Sequence, residues 1–299
     1  MSGANSAVGQ SLIRLYSQSS ENVPARVRAL VRDLKRAEPL RPLAAELMEV
    51  NFQDPNSLRE GVESADAVVH LAGALKPRRG ENLQEANVAT TKAMVEAAVS
   101  AKIKCFVFLS HPGADPDSKN PYLQTKGTAE KIIRDAGFAG AIFRVPMILG
   151  PGNASLERLL RLARAPLAPL IGGGSVRIQP VSQSDVVIAI DWALSTSPQP
   201  MRTINLVGPE TLTYANLVHR VASRIGRRPK NLPIPKSAAE LAIRIASGFS
   251  PNASANRIVW ETMFTEYLGD SDEARNNLPF TLEPVNEILD HAFPTTDSP

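Results

Sequence analysis

The chain of 299 residues carries 33 lysine and arginine residues against 30 aspartate and glutamate residues, and its hydrophobic content of 43% is that of a globular protein with a sizeable core. Because the basic residues are dispersed, the net charge of +3 does not indicate a nucleic-acid-binding surface. The single cysteine, Cys105, excludes a disulfide framework and favours a cytoplasmic location, and no apolar run reaches roughly 18 residues, the length of a transmembrane helix.

Short apolar runs alternate with helical segments over the first 150 residues. The runs are rich in β-branched and aromatic residues, as in parallel strands that are covered on both faces. Strands are predicted at 27–31, 47–50, 67–71, 105–109 and 141–145. Helices are predicted at 8–17, 39–45, 55–62, 83–101 and 122–136. This alternation predicts an α/β fold with a Rossmann-type doubly wound parallel sheet.

The pattern changes after Gly150. Loops are predicted at 151–153 and 172–174, with isolated strands near 176–180 and 203–206. From Tyr214 onward the chain has a mostly helical pattern, interrupted by prolines. The sequence therefore predicts a smaller, mostly helical C-terminal region.

A glycine-containing turn precedes the first predicted helix. Such a turn lets backbone N–H groups approach a pyrophosphate, aided by the helix dipole. Ser6 stands where loops of this kind usually have their middle glycine, and an ordinary loop before a helix is the alternative interpretation. The residues that would surround the phosphates are Gly3, Asn5, Ser6, Ala7, Val8 and Gly9.

Only Met1 and Ser2 precede this turn, whereas the first strand of a Rossmann fold needs about five apolar residues there. The first strand is therefore expected to be missing from this chain. Loss of a central strand would leave its neighbours without hydrogen-bond partners. We favour the hypothesis that the start of the sequence was assigned too late or is truncated, which mass spectrometry of the native protein would test.

Further motifs follow the predicted strands in order. They are Arg32-Asp33, Asn51-Phe52, His70-Leu71-Ala72-Gly73, Tyr122-Leu-Gln-Thr-Lys126 and Arg144-Val-Pro146. As a set they resemble the short-chain dehydrogenase/reductase superfamily, in its extended and atypical branches of NAD-dependent epimerase/dehydratase-like proteins. The resemblance covers nearly the whole chain, which also looks similar to the dehydrogenase-like accessory subunit of respiratory complex I.

The resemblance implies an NAD(P)-binding Rossmann domain at 1–150 and a substrate-binding cap region, interleaved with the sheet, at 151–299. Arg32 lies where a guanidinium pairs with the 2′-phosphate of NADP(H), so NADP(H) is favoured over NAD(H). The alternative is a solvated surface arginine beside Asp33. The implied cofactor-binding residues are Gly3, Asn5, Ser6, Ala7, Val8, Gly9, Arg32, Asn51, Phe52, Leu71, Ala72, Gly73, Lys126 and Pro146.

Tyr122 and Lys126 are implied to be the catalytic acid–base pair. At positions i and i+4 they share one helix face, and a nearby ammonium is expected to lower the pKa of the phenol. The usual Ser or Thr after the fifth Rossmann strand falls on His111, with Ser110 beside it, so either side chain is a candidate for polarising the substrate oxygen. Asn87 matches an asparagine often found near the site. The alternatives are a surface Tyr–Lys pair and a catalytically inactive site.

Two functions remain open on these residues. The first is an NAD(P)(H)-dependent oxidoreductase or epimerase/dehydratase that transfers hydride on a small carbonyl or hydroxyl substrate. No metal is expected, because the four histidines show no metal-ligand spacing. The second is a non-catalytic nucleotide-binding sensor, or an accessory or assembly protein of a respiratory complex. For partners, we expect a small-molecule substrate, no nucleic acid, no membrane span and a homodimer.

Overall fold

The computed structural model describes residues 1–18, 26–43, 46–78, 80–196, 200–248 and 253–293. They divide into two compact units. The first unit comprises Met1–Arg144 and Val186–Ile204, and the second comprises Val145–Asp185 and Asn205–Pro299. Each unit therefore consists of two separate stretches of the chain.

The described residues form twelve strands and twelve α-helices. The strands are β1 (Arg28–Val31), β2 (Glu46–Glu49), β3 (Ala67–His70), β4 (Cys105–Ser110), β5 (Ala139–Arg144), β6 (Met147–Leu149), β7 (Leu167–Ile171), β8 (Arg177–Ile178), β9 (Pro180–Ser182), β10 (Arg202–Asn205), β11 (Leu212–Thr213) and β12 (Lys230–Ile234). The helices are α1 (Ala7–Gln18), α2 (Leu34–Ala37), α3 (Pro55–Val62), α4 (Thr90–Ser100), α5 (Pro121–Asp135), α6 (Ala154–Arg164), α7 (Gln183–Ser195), α8 (Tyr214–Arg224), α9 (Lys236–Gly248), α10 (Ala253–Met263), α11 (Ser271–Asn277) and α12 (Val285–Ala292). A π-helix at Gln84–Ala89 leads into α4, and 3₁₀ helices lie at Glu38–Leu40 and Gly172–Gly174.

The first unit is built on a mainly parallel sheet. β1 pairs in parallel with β2, and β3, β4 and β5 pair in parallel in that order, with β10 beside β5. Helices between successive parallel strands are the βαβ arrangement that the sequence predicts. The predicted α/β class with a Rossmann-type parallel sheet is confirmed.

Ser2 lies between β1 and β3. It forms single parallel bridges to Leu30 of β1 and His70 of β3. The Ser2 N–H donates to the Val69 carbonyl at 3.0 Å, and the Leu30 N–H donates to the Met1 carbonyl at 2.8 Å. Ser2 thus joins the two groups of strands into the order β2-β1-Ser2-β3-β4-β5-β10, and the hypothesis about the start of the chain stays a prediction.

The central strands are buried because their side chains are apolar on both faces. Phe106, Val107 and Phe108 of β4 are at most 1% exposed, and the Phe106 ring stacks on Phe138 with centroids 5.1 Å apart. Burial of a large apolar side chain stabilises a fold by about 1.5–3 kcal/mol. The packing of these side chains fixes the place in the sheet at which β4 ends, and therefore the position of Ser110 and of the residues that follow it.

One predicted helix differs from the structure, and some strands of the second unit are not predicted. The predicted helix at 39–45 is wrong: α2 begins earlier because the Asp33 carboxylate caps it, accepting from the Lys35 N–H at 3.0 Å, and the 3₁₀ helix follows. Residues 44 and 45 lie outside the described part. The prediction also misses β12, whose residues are mostly exposed and include a proline, so that no apolar pattern marks the strand.

The second unit combines helices with short pairs of strands. β7 pairs in parallel with β12, β6 pairs in parallel with β9, and β8 pairs with β11 in antiparallel fashion. Its core includes Leu159 of α6, Leu217 of α8 and Leu289 of α12, all at most 1% exposed. Over the described ranges of both units, no helix is long and apolar enough to cross a membrane.

Candidate active site

The glycine-containing turn before α1 packs tightly against neighbouring backbone. Gly3 has a φ of +71°, and a Cβ atom there would lie 2.6 Å from the carbonyl carbon of Leu71. A Cβ atom on Gly9 would lie 2.7 Å from the carbonyl oxygen of Gly3. Both positions therefore require glycine, because such distances are far inside van der Waals contact.

Ser6 replaces the middle glycine by capping α1. Its Oγ accepts a hydrogen bond from the Gly9 N–H at 3.0 Å, and its carbonyl accepts from the Gln10 N–H at 2.9 Å. Within the described residues, the N–H groups of Ala7 and Val8 meet no acceptor at the start of this helix of 12 residues. Unpaired N–H groups at a helix N-terminus attract anions. Asn5 accepts from the Gln10 side chain through its carbonyl at 3.2 Å.

A buried hydrogen-bond chain lies beside this turn. Ser2 Oγ is 2.6 Å from His70 Nδ1, His70 Nε2 is 3.1 Å from Thr91 Oγ1, and the Thr91 hydroxyl donates to the Asn87 carbonyl at 2.6 Å. Because the Thr91 proton is used, His70 Nε2 donates to Thr91 and Nδ1 accepts from Ser2. Burial, followed by the Lys126 charge, lowers the pKa of His70 to about 3. His70 is therefore neutral and acts in packing.

Asn87 connects the loop after β3 with α5. Its Oδ1 accepts from the Ala74 N–H at 2.8 Å, and its Nδ2 donates to Thr125 Oγ1 at 3.1 Å. A Cβ atom on Gly73 would lie 2.9 Å from Asn87 Oδ1, so the predicted Leu71-Ala72-Gly73 segment approaches Asn87 closely. The structure places Asn87 where it holds the loop and the residue next to Lys126 together.

Arg32, Asn51 and Phe52 line one cavity of about 980 Å³ in the first unit. The structure thus brings together three residues that the resemblance implies to be cofactor-binding. Arg32 Nη1 also lies 2.8 Å from Glu81 Oε1, in an ion pair that no sequence motif predicts. Glu81 belongs to a loop, and a loop has no periodic sequence pattern from which its contact with Arg32, 49 residues earlier, could be predicted.

The start of α5 sets the position of Tyr122. Asn120 caps the helix, and its Oδ1 accepts from the Tyr122 N–H at 3.0 Å, with Pro121 in the first turn. The His111 and Tyr122 rings meet edge to face with centroids 5.8 Å apart. The structure therefore brings Tyr122 together with the residues that follow β4.

Lys126 is buried on the same helix. Its Nζ donates to the Leu109 carbonyl at 2.5 Å and lies 4.0 Å from the centroid of the Phe108 ring. Burial lowers the pKa of Lys126 to about 7, while the Glu130 carboxylate acts in the opposite direction. Burial also raises the pKa of Tyr122 to about 12, so the predicted lowering of the tyrosine pKa is wrong. The cause is burial, which disfavours the phenolate and which sequence spacing does not reveal.

The two candidates for polarising a substrate oxygen lie at the end of β4. Ser110 is 6% exposed, and its Oγ has no hydrogen-bond partner among the described residues. Burial, followed by the Lys126 charge, lowers the pKa of His111 to about 4. His111 Nδ1 accepts from the Gly113 N–H at 3.3 Å, which leaves Nε2 to carry the proton of the neutral ring. Both Ser110 and neutral His111 can therefore donate a hydrogen bond.

A buried ion-pair cluster, which no sequence pattern predicts, anchors α5. The Glu130 side chain is 0% exposed; its Oε1 accepts from Arg144 Nε at 2.9 Å, and its Oε2 from Arg144 Nη2 at 2.7 Å and from Arg134 Nη1 at 3.0 Å. Arg144 also donates to the Ala114 carbonyl at 3.1 Å, in the loop that follows His111. Pro146, at the end of the same motif, belongs to the second unit.

The described residues contain no group of three or more histidine, cysteine, aspartate or glutamate side chains that could hold a metal ion. The fold and the glycine turn define a dinucleotide-binding class of protein. Residues 3–160 match a protein family described as NAD(P)H-binding. Because the match covers more than half of the chain, the chain belongs to this family.

Individual relatives are distant. The ceramide reductase of Caulobacter vibrioides is 26% identical over 240 residues, which cover 79% of this chain and 73% of that protein. The mitochondrial NADH-ubiquinone oxidoreductase 40 kDa subunit of Neurospora crassa is 25% identical over 190 residues, covering 64% of this chain and 50% of that subunit. The chain thus spans only half the length of this second relative. The predicted similarity to complex I subunits is confirmed.

A solved structure with the same fold is the triphenylmethane reductase of Citrobacter sp. complexed with NADP(H). It superimposes with a TM-score of 0.73 at 18% identity, covering 97% of this chain and 98% of that one. At this identity the similarity concerns the fold. It agrees with the parallel sheet described above.

Proposed function

We propose that the chain is an oxidoreductase that prefers NADP(H) and transfers hydride to or from a small carbonyl or hydroxyl substrate. The observation that carries this proposal is the end of β4, where Ser110 has a buried, unpaired Oγ. The residues on either side of Ser110 contact α5, because Lys126 donates to the Leu109 carbonyl and the His111 ring meets Tyr122. These residues offer a proton donor, a cation and hydrogen-bond donors, which is what carbonyl reduction requires.

The residues of the first unit fit a dinucleotide. The N–H groups of Ala7 and Val8 would bind the pyrophosphate, since they open α1 and meet no acceptor among the described residues. Arg32 would bind the 2′-phosphate, with Asn51 and Phe52 beside the adenine. The remaining predicted contacts within this unit would come from Leu71-Ala72-Gly73 and Lys126, and the role of Pro146 stays a prediction. A reduced nicotinamide bound here would supply the hydride.

The protonation states favour the reductive direction. With a pKa near 12, Tyr122 keeps its proton at neutral pH and can donate it to a developing alkoxide. Ser110 Oγ or His111 Nε2 would donate a hydrogen bond to the same oxygen. Lys126, with a pKa near 7, would orient ribose hydroxyls and balance charge at the site. We assign substrate binding to residues 151–299, and we expect a cytoplasmic homodimer.

The second candidate is a non-catalytic accessory or nucleotide-sensing role. It is favoured by the similarity to a respiratory complex subunit and by the high pKa of Tyr122, which makes the phenol a weak acid and leaves little phenolate at neutral pH. In this case a bound dinucleotide would stabilise the fold, and the partners would be proteins.

Substitution of Tyr122→Phe distinguishes the two candidates. We would titrate the purified protein with NADPH and NADH by fluorescence, and follow NADPH oxidation with a panel of aldehydes, ketones and quinones. An enzyme loses turnover in Tyr122→Phe but keeps NADPH binding, whereas Tyr16→Phe, which removes a hydroxyl bonded to Asp191 at 2.6 Å, keeps both. If neither nucleotide binds, the oxidoreductase proposal and the sensor role are both rejected.

A further inference from the structure

The cavity that contains Arg32 carries more negative than positive side chains. Its walls include the two arginines Arg32 and Arg78 and the three glutamates Glu49, Glu81 and Glu85. The formal charge of the five side chains is therefore −1 (two positive, three negative) at neutral pH. This balance is unexpected for a pocket whose proposed ligand carries a 2′-phosphate, because an uncompensated carboxylate repels an anion.

Glu81 is held firmly in this wall. Its Oε1 accepts from Arg32 Nη1 at 2.8 Å, and its Oε2 accepts from the Arg78 N–H at 3.3 Å. The Glu81 N–H in turn donates to the Arg78 carbonyl at 3.1 Å, which closes a tight turn. Its side chain is only 18% exposed, against 36% for Arg32. Glu81 is thus positioned by its own loop as well as by Arg32.

We propose that Glu81 is a specificity-determining residue, which competes with the 2′-phosphate of NADP(H) for the guanidinium of Arg32. This inference rests on the proposed function of the site. A 2′-phosphate that binds Arg32 must either displace the Glu81 carboxylate or lie beside it. Either arrangement lowers the affinity for NADP(H). A ribose 2′-hydroxyl can instead donate to Glu81 while the ion pair stays intact. Glu81 therefore reduces the difference between the affinities for NADP(H) and NAD(H), so that NAD(H) binds as well.

The substitution Glu81→Gln tests this competition. It keeps the size and one acceptor oxygen but removes the charge that holds Arg32. We expect NADPH to bind about five- to tenfold more tightly to this variant, because the partly buried carboxylate no longer competes for Arg32. The affinity for NADH should change by less than about twofold. Arg32→Gln should weaken NADPH binding and leave NADH binding nearly unchanged.

Glu85→Gln is the matched control, since Glu85 lines the same cavity but accepts from the Asn82 N–H at 3.0 Å instead of contacting Arg32. Both affinities are measured by calorimetric titration, with circular dichroism to check folding. If Glu81→Gln does not fold, Glu81→Asp, whose shorter side chain withdraws the carboxylate, should shift NADPH in the same direction.

The proposal is overturned if the Glu81 variants change NADPH and NADH affinity equally, or if Glu85→Gln has the same effect as Glu81→Gln. If the unmodified chain binds both nucleotides and the variants give one of these results, only the role of Glu81 is rejected. Binding of neither nucleotide by the unmodified chain would instead reject the proposed function, and the role of Glu81 with it.

Discussion

The substitution Glu130→Gln should destabilise the first unit far more than a surface change on the same helix. The Glu130 carboxylate is fully buried and accepts from Arg144 through both oxygens, while the Arg144 side chain is 24% exposed. Removing one partner of a buried pair leaves an uncompensated charge and typically costs about 3–5 kcal/mol. Because Arg144 can reach water in part, we expect about 2–3 kcal/mol here.

The assay is equilibrium unfolding in urea, with Asp135→Asn as the control. Asp135 lies on the same helix and pairs with Lys131 at 2.7 Å, but both side chains are 63% exposed. Such a pair contributes at most about 0.5 kcal/mol, so the two midpoints should differ clearly. Equal midpoints would refute the reasoning that burial of Glu130, and not the mere presence of an ion pair, anchors α5.

Glu130→Gln should also alter Lys126. Glu130 opposes the lowering of the Lys126 pKa that burial causes, so the neutral amide should let that pKa fall below about 7. In the proposed enzyme, the pH profile of turnover would then move to lower pH. An unchanged profile in a folded variant would show that the two side chains are not electrostatically coupled.

Three more predictions concern other positions. Gly9→Ala should abolish NADPH binding in a fluorescence titration, because its Cβ would lie 2.7 Å from the Gly3 carbonyl oxygen; unchanged binding would exclude the turn as the phosphate site. The pKa of Lys126 is about 7 in the folded chain and 10.5 in the unfolded chain, so the unfolded state binds more protons between these pH values. The free energy of unfolding should therefore rise with pH in this range, by at most about 1.4 kcal/mol per pH unit. Lys126→Met should remove this pH dependence in a series of urea unfolding curves. Burial raises the pKa of Asp185 to about 6 from 3.8, so its contribution to stability should fall as pH rises between these values, and Asp185→Asn should raise the urea midpoint at pH 7 relative to pH 4.

The strands of the first unit could be predicted because each is a short, apolar run. β3 and β4 agree with prediction to within one residue at either end. A strand that is buried on both faces does not alternate apolar with polar residues, and it is therefore visible in the sequence as a continuous apolar run. α2 could not be placed, because the cap at Asp33 competes with a helical pattern further along the chain. β12 could not be predicted, because it is held by pairing with β7 and not by an apolar face.

The site could be predicted as a set of residues but not in its electrostatics. Motif order brings Tyr122, Lys126 and Ser110 into one list, and the structure brings them to the end of β4 and the start of α5. The raised pKa of Tyr122 depends on burial, which a spacing of four residues does not report. The Arg32–Glu81 pair joins two loops 49 residues apart, and only the folded chain reveals that contact.

The path of the chain through the sheet has a consequence for its biosynthesis. β5 ends at Arg144, but its outer neighbour β10 begins only at Arg202. A ribosome must therefore add nearly sixty further residues before that edge of β5 acquires its hydrogen-bond partner. During this interval the edge is open to pairing with another nascent chain, which is the usual start of aggregation. A fragment that stops after Arg144 would keep this open edge permanently, so expression trials should carry the chain at least through Asn205.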